Sequence, residues 1–143
     1  TDVLDLVRDA SLAQGREIGV VLEIKHATFM ASLGFDLAAI VHDDLRAAGW
    51  AAGEWPLVVE SFESSILFAL QDRGLPARYV YLLEAAGKPF DLIAAHGDDA
   101  PTYASIAAPA GLDALAGRVD GISVDKRMLL APDRFGRATD RSR

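Results

Sequence analysis

Apolar and polar positions along this chain switch repeatedly between a helical period and short continuous apolar runs. Val3, Leu4, Val7 and Ala10 keep helical spacing behind Thr1, which can cap the helix, and Gly15 ends it. Residues 18–23 begin with the unbroken apolar run Ile18 to Leu22, the pattern of a strand buried on both faces of a parallel sheet. Asp36 opens a second helix with Leu37, Ile40, Val41, Leu45 and Ala48 on one face, and Gly49 closes it. Pro56 introduces a second strand at 57–61. A helix over 63–72 turns Ile66, Leu67 and Leu70 inward and stops at Gly74, and a third strand covers 79–83. The stretch 84–107 is long for a connection, is broken by Gly87, Pro89, Gly97 and Pro101, and has room for a short helix at 90–95. A short helix at 112–116 leads to a fourth strand at 121–124.

This alternation predicts an α/β fold of parallel strands, neighbours in space in their sequence order and joined by right-handed crossovers. Four strands are too few to close a barrel of eight, so the pattern fits either a small open sheet or half a barrel.

Chemistry concentrates at the end of the first strand. Glu23 and Lys25 stand two residues apart, so in extended chain they share a side. Ligands bind at that end of strands in open α/β sheets and in barrels. A carboxylate suits a hard metal and a lysine suits an anionic oxygen, a combination fit for phosphate chemistry. A purely structural ion pair is the competing reading. By the same alternation His26 points the other way, as a packing or hydrogen-bonding histidine. His42, Asp43 and Asp44 fall on the polar side of a helix and read as a solvated face, and His96 sits in a loop, followed by Gly97 with no arginine between them, and carries little weight.

Composition narrows the field. The 143 residues allow one domain with a real core; 51% are hydrophobic and the mean hydropathy is +0.19. A net charge of −7 argues against nucleic acid as a partner. No apolar run reaches the length of a membrane span. The absence of cysteine removes disulfides, zinc–thiolate sites and thiol nucleophiles, and the carboxylates favour Ca²⁺ or Mg²⁺ over zinc. Thr1 in place of an initiating methionine, with no visible signal peptide, suggests a chain trimmed, processed or excised from a longer one. Residues 133–143 are polar and basic and read as a frayed tail.

Several segments together resemble one family. Leu22, Glu23, Ile24, Lys25 and His26, followed by Phe29 and by Leu33, Gly34, Phe35 and Asp36, resemble the third-strand segment of glycerophosphodiester phosphodiesterases of the periplasmic or secreted branch. Val58, Val59, Glu60, Ser61 and Phe62 resemble the fourth-strand Gln-Ser-Phe. Ala104, Ser105 and Ile106 with Pro109, Ala110, Gly111 and Leu112, then Val119, Asp120, Gly121, Ile122, Asp125 and Lys126, resemble the later helix and Ala-Asp-Gly-Ile-Gly strand. The pieces keep the family's order and rough spacing over residues 2–130.

The resemblance implies a partial (β/α)8 TIM barrel, roughly strands three to six with their helices, in a single domain over 1–143. It implies hydrolysis of glycerophosphodiesters to glycerol 3-phosphate and an alcohol, in lipid and glycerol metabolism, with Ca²⁺ or Mg²⁺ as cofactor. Glu23 then becomes a metal ligand, Lys25 the active-site lysine, and Glu60, Phe62 and Lys126 substrate-side residues. The family's opening His-Arg-Gly, its Glu-x-Asp pair and its His-Asp segment have no counterpart here, nor do the last two strands. The two acid–base histidines go with them, so the chain alone is expected to be inactive and to associate with a second copy or with the missing half of the barrel. Ala27 stands where the family has proline, Glu60 where it has glutamine and Ser123 where it often has glycine. Glu60 adds negative charge beside the implied metal. A periplasmic or secreted location follows from the resemblance, with a cytoplasmic one left open. Two other readings remain at this stage: a non-catalytic α/β binding or assembly module, and a different phosphate-handling barrel, such as an aldolase with Lys25 as its Schiff-base lysine.

Overall fold

Residues 2–132 and 134–142 are described by the computed structural model. Helix α1 (Asp2–Gln14) precedes strand β1 (Val20–Glu23), and two helices follow, α2 (Ala27–Ser32) and α3 (Leu37–Ala47). Strand β2 (Leu57–Ser61), helix α4 (Ser64–Asp72) and strand β3 (Arg78–Leu83) form the centre of the chain. Helices α5 (Phe90–His96), α6 (Tyr103–Ile106) and α7 (Pro109–Leu115) lead to β4 (Gly121–Val124), and α8 (Lys126–Leu129) leads to β5 (Leu130–Pro132) and β6 (Ala138–Ser142).

The first four strands form one parallel sheet in the order β1-β2-β3-β4, as the alternation predicts. The order never doubles back, so the sheet has no switch point of the doubly wound kind. Local chemistry explains several boundaries. Asp36 caps α3 by accepting from the Ala39 amide at 2.9 Å, and it also holds Arg73, just past α4, at 2.7 Å. Gly19 lets the chain enter β1 close to Pro56, where a Cβ would stand 2.9 Å from the proline carbonyl. The cap expected from Thr1 lies outside the described residues.

The two faces of the sheet differ. Leu57, Val59, Tyr79, Tyr81 and Leu83 are buried and share one core with Ala38 and Leu45 of α3 and Ile66, Leu67 and Leu70 of α4. Trp50, fully buried, stacks on Trp55 with ring centroids 5.6 Å apart and closes one end of this core. Residues of opposite parity belong to the other face. Val21 there is 63% exposed, Val58 and Val80 are half-buried, and none of the three joins the core. Leu82, on the same side, is buried near the mouth of β3 and β4. The expectation that residues 18–22 are buried on both faces is therefore corrected: β1 is an edge strand with one uncovered face.

Helix α2 has no counterpart in the sequence reading. Within 133–143, read from the sequence as a frayed tail, the backbone of β6 pairs antiparallel with β5 around a turn in which Gly136 takes φ 76°. Among the described residues no helix is long and apolar enough to cross a membrane.

Candidate functional site

The C-terminal ends of β1, β2 and β3 open onto a cavity of about 370 Å³. Glu23, Lys25 and His26 line it from the β1 side, Phe62 and Glu63 from the end of β2, and Glu84, Lys88, Phe90 and Tyr103 from the segments after β3. A second cavity, about 360 Å³, shares Phe62 and Glu84 with the first and reaches Asp125 and Arg127 beyond β4. The mouths of all four parallel strands thus contribute to one continuous polar rim.

Glu23 and Lys25 come together here, with the ammonium 3.3 Å from the carboxylate. Glu23 is the half-buried partner and Lys25 the exposed one, so the carboxylate is held while the lysine head is free to exchange. Glu60 is the register partner of Glu23 and lies on the same, uncovered face, but it is not among the residues that line the first cavity. Phe62 touches both cavities and packs edge-on against Tyr103, ring centroids 6.5 Å apart. Lys126 is exposed in the first turn of α8 and lines neither cavity, whereas its neighbour Arg127 lines the second. The cause is the tight turn at Asp125, whose carboxylate accepts from the Arg127 amide at 2.8 Å and draws the guanidinium back toward the strand.

His26 also departs from expectation. It does not turn away to pack: it is exposed and lines the cavity beside Lys25. The strand ends at Glu23, and His26 takes the left-handed conformation, φ 57° and ψ 37°, as the residue before α2, so the alternation of an extended chain no longer applies. It is the only non-glycine with positive φ among the described residues. On α3, Asp43 and Asp44 are exposed as the helical pattern predicts, but His42 is half-buried, 3.5 Å from Asp43, because it flanks the side that buries Ala38 and Leu45; Ile40, expected on the inward face, is exposed instead.

A buried polar scaffold missed by the sequence reading holds the rim. The Ser61 hydroxyl donates to the Ile24 carbonyl at 2.7 Å and accepts from the Glu63 amide at 3.1 Å, tying the β1 and β2 exits. Glu63 is buried, and its carboxylate accepts from the Thr28 amide at 2.8 Å, capping α2 from a different loop. Asp91 is buried and accepts from the Ser65 amide at 2.9 Å, joining the starts of α5 and α4. The one available signal was Ser61 and Glu63 two residues apart between a strand and a helix, where a carboxylate can meet free amides.

Burial, then the neighbouring carboxylates Glu84, Asp91 and Glu63, push the Tyr103 phenol up to about 12, so it remains a proton donor at neutral pH. The Tyr81 phenol is raised too, by burial first and then by Asp91. The hydrogen bond from the Arg127 side chain, reinforced by its amide, holds Asp125 down at about 2.

For a hard cation Glu23 offers one carboxylate. A Ca²⁺ or Mg²⁺ site needs about six oxygen ligands, and no three acidic or histidine side chains cluster suitably among the described residues. The residues present fit one corner of such a site. A scan against models of known protein families gives no match to this chain, and neither does a search of curated proteins.

Proposed function

We propose that this chain is part of a metal-dependent glycerophosphodiester phosphodiesterase, and that its sheet is four consecutive strands of a (β/α)8 barrel. One observation carries the reading: Glu23 and Lys25, the pair that the family resemblance singles out, meet at 3.3 Å at the C-terminal mouth of a parallel sheet and line a cavity there. The sequential strand order and the helices packed on a single face support the barrel geometry, in which the uncovered face would look inward. The sheet would then be closed by further strands or by a second copy, each pairing with the free edges of β1 and β4.

In this reading the metal, Ca²⁺ or Mg²⁺, supplies charge neutralisation at the phosphate. Glu23 would give it one ligand, with the others coming from other strands. Lys25 would release Glu23 and bind a phosphate oxygen as negative charge builds there. Phe62 and Tyr103 would form an apolar wall for the glycerol or alcohol moiety. The acid–base histidines are not among the residues at this rim, so this chain by itself would hold substrate without turning it over.

Titration with glycerophosphocholine, followed by amide chemical shifts, tests the reading. Shifts should cluster at residues 23–26, 61–63 and 84–88, and Lys25→Met should weaken them. Changes scattered over the surface, or none, would remove the assignment. Hydrolysis near ~1 s⁻¹ by the chain alone, within the ordinary range of enzymes, would show that the missing histidines and carboxylates are not needed. Borohydride trapping of a carbonyl compound on Lys25 would instead favour an aldolase.

A further inference from the structure

The cations around this rim are not equivalent. Lys25 is paired with Glu23, and Arg127 gives Asp125 its amide, its Nε at 3.0 Å and its Nη2 at 2.8 Å. Each of these positive charges is already balanced. Lys88 lines the same cavity but donates to a neutral group, the Asp98 carbonyl, at 2.6 Å. Among the described residues no carboxylate forms an ion pair with it. Glu63 and Glu84 line the cavity as well, Glu63 held by the Thr28 amide, so carboxylates surround Lys88 without pairing with it; an incoming anion has only a hydrogen bond to a neutral carbonyl to displace there, and no ion pair has to break first.

Lys88 is also well placed. The Gly87 carbonyl on one side accepts from the Tyr103 amide at 3.0 Å, and Pro89 on the other side is fully buried. The backbone is thus pinned at both flanks, while the four-carbon stem of the half-buried residue leaves its ammonium free to trade a carbonyl for a phosphate oxygen. No sequence pattern marked it, because a lysine between glycine and proline reads as an ordinary loop residue.

We infer that Lys88 is a second phosphate-binding residue of this site, which reaches the substrate's non-bridging oxygens from the loop after β3 while Lys25 does so from the loop after β1. This rests on the phosphodiesterase reading and extends it: the phosphate is held between two loops, with one lysine from each.

Calorimetric titration of the chain with glycerol 3-phosphate is the test. The unsubstituted chain should bind at millimolar concentration, Lys88→Gln should weaken binding about tenfold, and Lys88→Arg should restore most of it. Free glycerol should bind no differently to the Gln variant, which separates loss of charge from loss of loop structure. Should Lys88→Gln not fold, the amide shifts of Gly87 and Lys88 in the unsubstituted chain serve instead, and they should move with glycerol 3-phosphate and stay still with glycerol. Binding that Lys25→Gln weakens and Lys88→Gln leaves unchanged overturns the role of Lys88 alone. No binding of glycerol 3-phosphate by the unsubstituted chain overturns both this role and the proposed function.

Discussion

The two faces of the parallel sheet make opposite use of the same kinds of residue. On one face Val59 and Leu57 are packed under α3 and α4; on the other, Val21 and Val58 are left without a cover. The β-branched residues suit a strand equally well on both sides, so propensity does not create the difference. Crossover does: strands laid down in sequence order by connections of one hand send every helix to the same side. Stability is therefore concentrated on the helix face, and the rim chemistry sits at the ends of strands whose other face is free for another purpose.

The largest effect should come from the covered face. Leu67 is fully buried, and Leu67→Ala should destabilise the chain by about 2–5 kcal/mol in urea denaturation. A loss below ~1 kcal/mol, the range of a surface change, would break the contrast between the faces. Next comes the scaffold between them. Glu63→Ala removes the carboxylate that caps α2 at Thr28 and should cost about 1.5–3 kcal/mol, the range for hydrogen bonds to charged groups. It should also loosen the amides around His26, which hydrogen exchange would detect. Val21→Lys, on the uncovered face, should change monomer stability by no more than ~0.5 kcal/mol. If the free face and edges of the sheet close against a second copy, the same substitution should shift the sedimenting species from dimer to monomer, with the contact burying at least ~1,000 Å². An unchanged dimer would place the contact elsewhere.

Alkaline pH gives a subtler measure. Tyr79 and Tyr103 have phenols pushed up to about 12, by burial first, against an ordinary value of 10. The native state holds these protons more tightly than the unfolded chain does. Their stabilising contribution is thus complete below pH 10 and fades as pH rises from 10 through 12. Tyrosinate absorbance should appear together with loss of helix signal. Free titration of all the tyrosines near 10 in a folded chain would contradict their burial.

The sheet was legible because the signals are local. Pro56, Gly49 and Gly74 bracket apolar runs whose length decides between strand and helix, and Asp36 announces α3 by cap chemistry alone. Glu23 and Lys25 were legible for the same reason, as neighbours in sequence. What sequence hid depends on distant contacts or on a single dihedral. Glu63 caps a helix 35 residues away, and Lys88 lines a cavity together with Lys25, far from it in sequence. His26 defeats the alternation rule through one left-handed residue, and Arg127 reaches the second cavity through its bonds to Asp125. The uncovered side of β1 also escaped the reading, since an unbroken apolar run does not say which of its faces finds a partner.

The unbroken order of the sheet has a consequence for the chain as it is being made. Each new strand docks beside the one synthesised just before it, so none has to insert between two that are already paired. Growth can proceed by accretion from the N-terminus at the pace of synthesis. Every nascent length then ends in one unfinished edge that the next strand will cover, and that moving edge is where a chaperone would have to stand guard.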